Sequence, residues 1–170
     1  FHLATDGHSM RELLSLLPKP SRYIGTEEGS VRKHIAQMSL HIGLAFPDLY
    51  EVGMSYLGQK ILYGIVNARE SWFAERIFSP CREASAVLKQ HQAHLCTLES
   101  DTPLYALHFL GFHLTHELCY TNVLNMLELG NIPLRSRERG NSLFEWPIVA
   151  AGGGCTLSAE PAAPFFDLMM

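Results

Sequence analysis

LHIGLAFPDLYEVGMSYLGQKILYGIV, residues 40–66, decides the reading of the fold. Its first seven residues are an unbroken apolar run of strand length, as expected for a strand covered on both faces. Phe46-Pro47-Asp48 ends the run, and Gly53 precedes a stretch with helical spacing. Over 54–68, Leu57, Ile61, Leu62, Ile65 and Val66 fall at i, i+4, i+5, i+8 and i+9, which predicts a helix with an apolar stripe. A strand, an acidic loop and a glycine at a helix entry make a ligand loop in an α/β domain. The plainer reading is a helix start, in which Asp48 caps and Gly53 relieves a tight turn.

The pattern repeats outward from this unit. AERIFSP (74–80) predicts a strand, and REASAVLKQHQ (82–92) a helix with Ala86, Val87 and Leu88 inward. HLCTLES (94–100) and LHFLGFHL (107–114) read as strands. HELCYTNVLNMLELG (116–130) reads as a helix with Gly130 at its C′ position. WPIVAAGGG (146–154) is a strand running into glycines, and SAEPAAPFFDLMM opens a last helix. Upstream, RELLSLL (11–17) forms a short helix stopped by Pro18 and Pro20, followed by a polar surface arm. Strands alternating with helices predict a three-layer αβα domain, Rossmann-like or flavodoxin-like, with a mainly parallel five-stranded sheet of order 2-1-3-4-5. Residues 1–9 read as an upstream extension, 10–39 as an N-terminal arm and 40–170 as the domain.

Bulk composition narrows the function classes. The 170 residues are 47% hydrophobic and 18% charged, with a formal net charge of −4. No clustered Lys and Arg mark a nucleic-acid footprint, and no apolar run reaches the roughly 18–20 residues of a membrane span. Cys81, Cys96, Cys119 and Cys155 are scattered, with no CxxC pair and no CxxxCxxC cluster motif. They read as reduced thiols, and the expected location is the cytoplasm.

Ligands of doubly wound sheets bind beyond the carboxyl ends of the strands. Three loops are expected to meet there: 47–53, 113–117 and 152–158. Gly152-Gly153-Gly154 lets backbone approach a flat ligand or a phosphate closely, or is only a flexible turn. It is neither GxGxxG nor a Walker motif. His113-Leu114-Thr115-His116-Glu117, with Cys119 beyond it, has HxxHE spacing rather than HExxH; zinc needs at least three converging ligands, and Cys155 is the further candidate that could lie near in space. Asp48, Tyr50, Glu51 and His116 could form an acid–base cluster, but no nucleophile–base pair is legible, so hydrolase chemistry gets little weight. Thr121 and Asn122 place polar groups where a helix normally turns apolar, either for back-bonding or for contact with a cofactor. Arg135, Arg137 and Arg139 in RSRERGNS (135–142) read as a solvated basic loop.

The stretches KPSRYIG (19–25), LAFPDLYEVGMSYLGQKILY (44–63), ELCYTNVLNMLELGNIPLR (117–135) and AGGGC with the later EP (151–155, 160–161) resemble the N-terminal part of cobalamin-binding-domain radical SAM proteins of the YgiQ-like kind. The resemblance covers roughly residues 18–167. It implies a cobalamin-binding-type domain whose radical SAM barrel, with S-adenosylmethionine and a 4Fe-4S cluster, lies in the parent enzyme and not in this chain. Classical members carry DxHxxG, whose His ligates cobalt. Here Asp48 and Gly53 match, but Tyr50 stands at the histidine position. His113 stands where a Ser or Thr is usual, and Gly152 and Gly153 match the glycine pair beside the nucleotide tail. The implied cobalamin site is Asp48, Tyr50, Glu51 and Gly53 beneath the ring, His113, Thr115 and Thr121 along the middle wall, and Gly152, Gly153 and Gly154 at the tail groove, with no protein imidazole on cobalt. The alternative is a cofactor-free Rossmann-like module that docks the barrel, a macromolecular partner or a second copy of itself.

Overall fold

The computed structural model describes residues 9–140 and 145–170. Most of the 1–9 extension and the end of the 135–142 loop therefore lie outside the described residues. Five strands form one sheet: β1 (Leu40–Phe46), β2 (Trp72–Phe78), β3 (Phe109–His113), β4 (Ile148–Gly152) and β5 (Leu168–Met169). All pairings are parallel and the order is β2-β1-β3-β4-β5, the arrangement expected from the alternating pattern.

Period-two alternation assigns the side chains to two layers. Leu110, Phe112, Val149 and Ala151 point into the main core, where α3 (Arg82–Gln90) brings Ala84 and Leu88 and α4 (Tyr120–Leu129) brings Val123, Met126 and Leu127. On the other face Ile42 and Ala74 pack with Tyr63 of α2 (Leu57–Asn67), while Leu44 and Phe109 are only partly covered. α2 lies over β1 and β2 and leaves the β3–β4 side of that face thinly covered.

Several elements differ from the sequence expectation. The helix foreseen over 54–68 is two pieces, α1 (Tyr50–Ser55) and α2, broken at Tyr56. Its stripe is divided: Leu57, Ile61 and Ile65 face outward, 51–67% exposed, and the buried positions are Gln59 and Tyr63. Ala86 is exposed, and Ala84 takes the inward place beside Leu88. The 11–17 helix is a 3-10 segment, Met10–Leu16, whose Met10 and Leu13 enter the core. Gly130 closes α4 at φ −79°, and Asn131 takes the left-handed conformation instead.

The largest change concerns which segments supply the strands. Residues 94–100 run beside the outer edge of β2 but form no ladder with it. Leu98 N–H donates to the Arg76 carbonyl, yet the next edge donor, Arg76 N–H, is taken by the Glu99 carboxylate. A side chain thus replaces the backbone acceptor that a sixth strand would supply. The fifth strand comes instead from Leu168–Met169, where a helix was expected, since Pro161 and Pro164 prevent helical continuation. Arg139 holds this strand: buried, it pairs with Asp167 at 2.9 Å and donates to the Pro133 and Phe165 carbonyls. It is a structural clamp rather than the solvated loop cation read from the sequence.

Candidate functional site

The carboxyl ends of β1, β3 and β4 are neighbours, so the 47–53, 113–117 and 152–158 loops share one rim. Hydrogen bonds knit them together. Leu114 N–H donates to Gly152 O at 2.7 Å, and Cys155 N–H to Leu114 O at 3.2 Å. Asn122 at the start of α4 donates its amide to Pro47 O at 2.9 Å. Its polarity is thereby accounted for within the protein, whereas Thr121 beside it is exposed. Gly153 sits at φ +118°, where a methyl group would lie 2.5 Å from the Leu114 carbonyl oxygen. Close approach of two rim loops therefore requires glycine there. At Gly152 and Gly154 a methyl would meet nothing within 4 Å.

Beneath the rim, on the thinly covered face, lies a cavity of about 220 Å³. Small residues form much of its floor, namely Gly111, Ala150 and Gly152, with Leu44 and Phe109 beside them and Leu62 and Val66 of α2 as one wall. His113 closes the rim end, its ring stacked on Phe46 (5.9 Å) and tilted against Tyr56 (4.7 Å). Burial lowers the His113 pKa, which favours a neutral imidazole. Gln59 also lines the cavity, 5% exposed, and donates Nε2–H to the Leu44 carbonyl at 2.9 Å. Its Oε1 has no hydrogen-bond partner, alone in this respect among the buried side-chain oxygens and nitrogens of the described residues.

The other residues singled out in the first loop serve different ends. The Asp48 carboxylate accepts the Leu49 N–H at 2.7 Å. Tyr50 turns toward β2 and the arm: its hydroxyl donates to Glu27 at 2.6 Å, and its ring meets Phe78 edge-on. It lines a separate cavity of about 20 Å³, with Arg22, Tyr23 and Asp101. Burial, reinforced by Glu27, pushes the Tyr50 pKa up to about 12. Exposed Glu51 pairs with Arg22 at 2.7 Å. A methyl at Gly53 would lie 2.3 Å from the Phe78 ring, so this glycine serves helix-to-sheet packing. Thr115 is half-buried on the rim near His116, Glu117 and Cys119, but among the described residues no group of three or more His, Cys, Asp or Glu is placed to hold a metal. Cys155 instead meets the Tyr120 hydroxyl at 3.1 Å.

Gln59, Gly111 and Ala150 were not singled out from the sequence. Gln59 carried one signal, as a lone amide inside an apolar helical stretch. Among the described residues no helix is long and apolar enough to cross a membrane.

A doubly wound parallel α/β domain with a cavity at the switch between β1 and β3 is the class that this geometry defines. The family profile described as radical SAM proteins, N-terminal, matches residues 58–170, about two-thirds of the chain, and the chain belongs to that family. No curated protein matches it.

Proposed function

We propose that this domain is an accessory, cofactor-holding domain of a radical SAM protein and that it takes a corrinoid at the carboxyl rim of its sheet. The observation that carries the reading is the apolar cavity of about 220 Å³ beneath the shared rim. An aliphatic cavity of about 150 Å³ accepts a benzene-sized guest, so this one has room for the aromatic base of a nucleotide tail. Gly152 and Gly111 keep the floor low, and Gly153 holds the rim loops close. His113, Gly152, Gly153 and Gly154 would hold the tail side, and the 48–53 loop would lie beneath the ring. A bound corrinoid supplies a cobalt centre able to carry alkyl groups, and the protein supplies position and environment.

Tyr50 bears on how the cofactor is held. Its hydroxyl is committed to Glu27, and the residue belongs to a different cavity from His113. The reading therefore assigns no cobalt ligand to Tyr50. S-adenosylmethionine, an iron–sulfur cluster and the radical chemistry belong, on this reading, to a barrel elsewhere in the parent enzyme.

A second reading is favoured by a different surface. Leu57, Ile61 and Ile65 form an outward apolar stripe on α2, the feature of a docking helix. On that reading the domain is a cofactor-free module that binds the barrel or another protein surface. Mixing the protein with hydroxocobalamin, removing the excess and recording the visible spectrum separates the two. Near-stoichiometric retention supports the first. Complete wash-out from folded protein supports the second.

A further inference from the structure

We infer that His113 supplies an axial imidazole to the cobalt of a bound corrinoid, in place of the histidine that the DxHxxG pattern puts where Tyr50 stands. The inference rests on the corrinoid reading above and deepens it. Tyr50 is committed to Glu27 and lines a different cavity. His113 ends β3, half-buried, at the rim end of the apolar cavity. Among the described residues no group hydrogen-bonds to either of its ring nitrogens. Gln59 Oε1 is the one buried side-chain nitrogen or oxygen there that lacks a partner, so neither His113 nitrogen is sealed from the exterior.

Stacking on Phe46 and the tilted contact with Tyr56 hold the ring in place. In most metal sites a hydrogen bond from the second ring nitrogen does this orienting, and here the two aromatic rings take it over. Phe46 and Tyr56 flank the 48–53 loop, assigned to the space beneath the corrin ring. The cavity is assigned to the tail, so His113 borders both. Gly152 pairs with it across the β3–β4 ladder and brings no side chain to shield it. Burial lowers the His113 pKa, which leaves a neutral ring with a lone pair for a metal. Among the described residues no three-ligand cluster exists, but a corrin brings its own equatorial nitrogens and needs only one donor from the protein. The lone pair displaces an axial water, and no oxidation state changes. His116, on the same loop, is exposed and does not line the cavity.

Cobinamide, which has no lower base of its own, and hydroxocobalamin serve as probes, each reduced to cobalt(II) and bound to the whole chain. An axial nitrogen splits the cobalt lines of the electron paramagnetic resonance spectrum into triplets. The expected result is triplets on bound cobinamide that become doublets when the protein is made with histidine carrying the heavy nitrogen isotope. On either probe only a protein nitrogen responds to that label. His113→Phe, which keeps an aromatic ring against Phe46 and Tyr56, is expected to lose the labelled splitting, and His116→Ala to keep it. Should His113→Phe fail to fold by circular dichroism, His113→Gln, which keeps a polar group at this half-buried position, is expected to fold and to lose the splitting. Bound probes that show no response to the label overturn the inference and leave the corrinoid reading standing. Labelled splitting that survives in folded His113→Phe overturns the assignment to His113. Binding of neither probe overturns both the inference and the reading beneath it.

Discussion

The β2 edge and the β3–β4 stretch of the sheet are finished in opposite ways. Along β2, polar groups are buried and paired. Arg76, 7% exposed, bonds Glu99 at 2.5 Å and Glu27 at 2.8 Å, and burial of its charge is outweighed by these carboxylates, which hold its pKa above the ordinary value. Glu75, fully buried, meets His41 and accepts from Ser100 N–H and Oγ–H. Lys33 from the arm donates to three carbonyls around the end of α2 and the start of β2. Across β3 and β4 the face beneath α2 offers glycine, alanine and a cavity. One side is closed by polar groups that satisfy one another. The other has open space, and the contrast marks it as the candidate site.

Removing a partner from the closed side should cost the most. Arg76→Ala leaves Glu99 buried without its counter-charge, and the expected loss is roughly 3–5 kcal/mol. Against a typical domain stability of about 5–15 kcal/mol this is a large fraction. Urea denaturation should show a lowered midpoint, and an unchanged one would mean that the network does not stabilise the β2 edge. On the open side, Gly153→Ala forces a side chain into the left-handed region against the Leu114 carbonyl. We expect a cost of about 1–3 kcal/mol together with weakened corrinoid retention. Gly53→Ala crowds Phe78 by a similar amount, about 1–3 kcal/mol, and should leave retention closer to that of the unsubstituted protein.

Titration sharpens the comparison from another direction. Tyr23, Tyr50 and Tyr63 border the closed side, and burial first of all pushes each pKa from 10.0 to about 12. The unfolded chain releases these protons near pH 10 while the folded chain keeps them. Their contribution to stability is therefore complete below pH 10 and is lost as pH rises toward 12. Unfolding curves across that window, read with tyrosinate absorbance, check the sign. The smallest effect is expected at Ile61→Glu on the outward stripe of α2, within about 0.5 kcal/mol, since Ile61 is 51% exposed. A large loss there would mean that this stripe is packed rather than open.

The sheet was legible because a parallel strand leaves a plain mark: LHIGLAF is apolar but for His41, being covered on both faces. The 2-1-3-4-5 order followed from the alternation, although one strand was placed at 94–100 and the last, Leu168–Met169, was read as helix. HLCTLES has a strand's composition, but a Glu99 carboxylate occupies the edge donor. Nothing in local pattern reports that long-range substitution. Leu168–Met169 is too short to show periodicity. On the rim, the convergence of the Asp48, His113 and Gly153 segments followed from topology alone. The inward side of α2 did not, because apolar spacing marks a stripe and not the direction in which it points. Here the outer residues are Leu57, Ile61 and Ile65, and Gln59 faces in. Tyr50 likewise stood at a ligand position in the sequence while its hydroxyl belongs to Glu27.

The most direct measurement compares hydroxocobalamin retention by the unsubstituted chain and by Gly152→Leu. A Cβ built at Gly152 meets nothing within 4 Å and Gly152 lines the cavity, so leucine there should fill it and leave the fold intact. The account predicts near-stoichiometric corrinoid on the unsubstituted protein and little on Gly152→Leu, with matching circular dichroism. Equal retention by both proteins, or none by either, would contradict it.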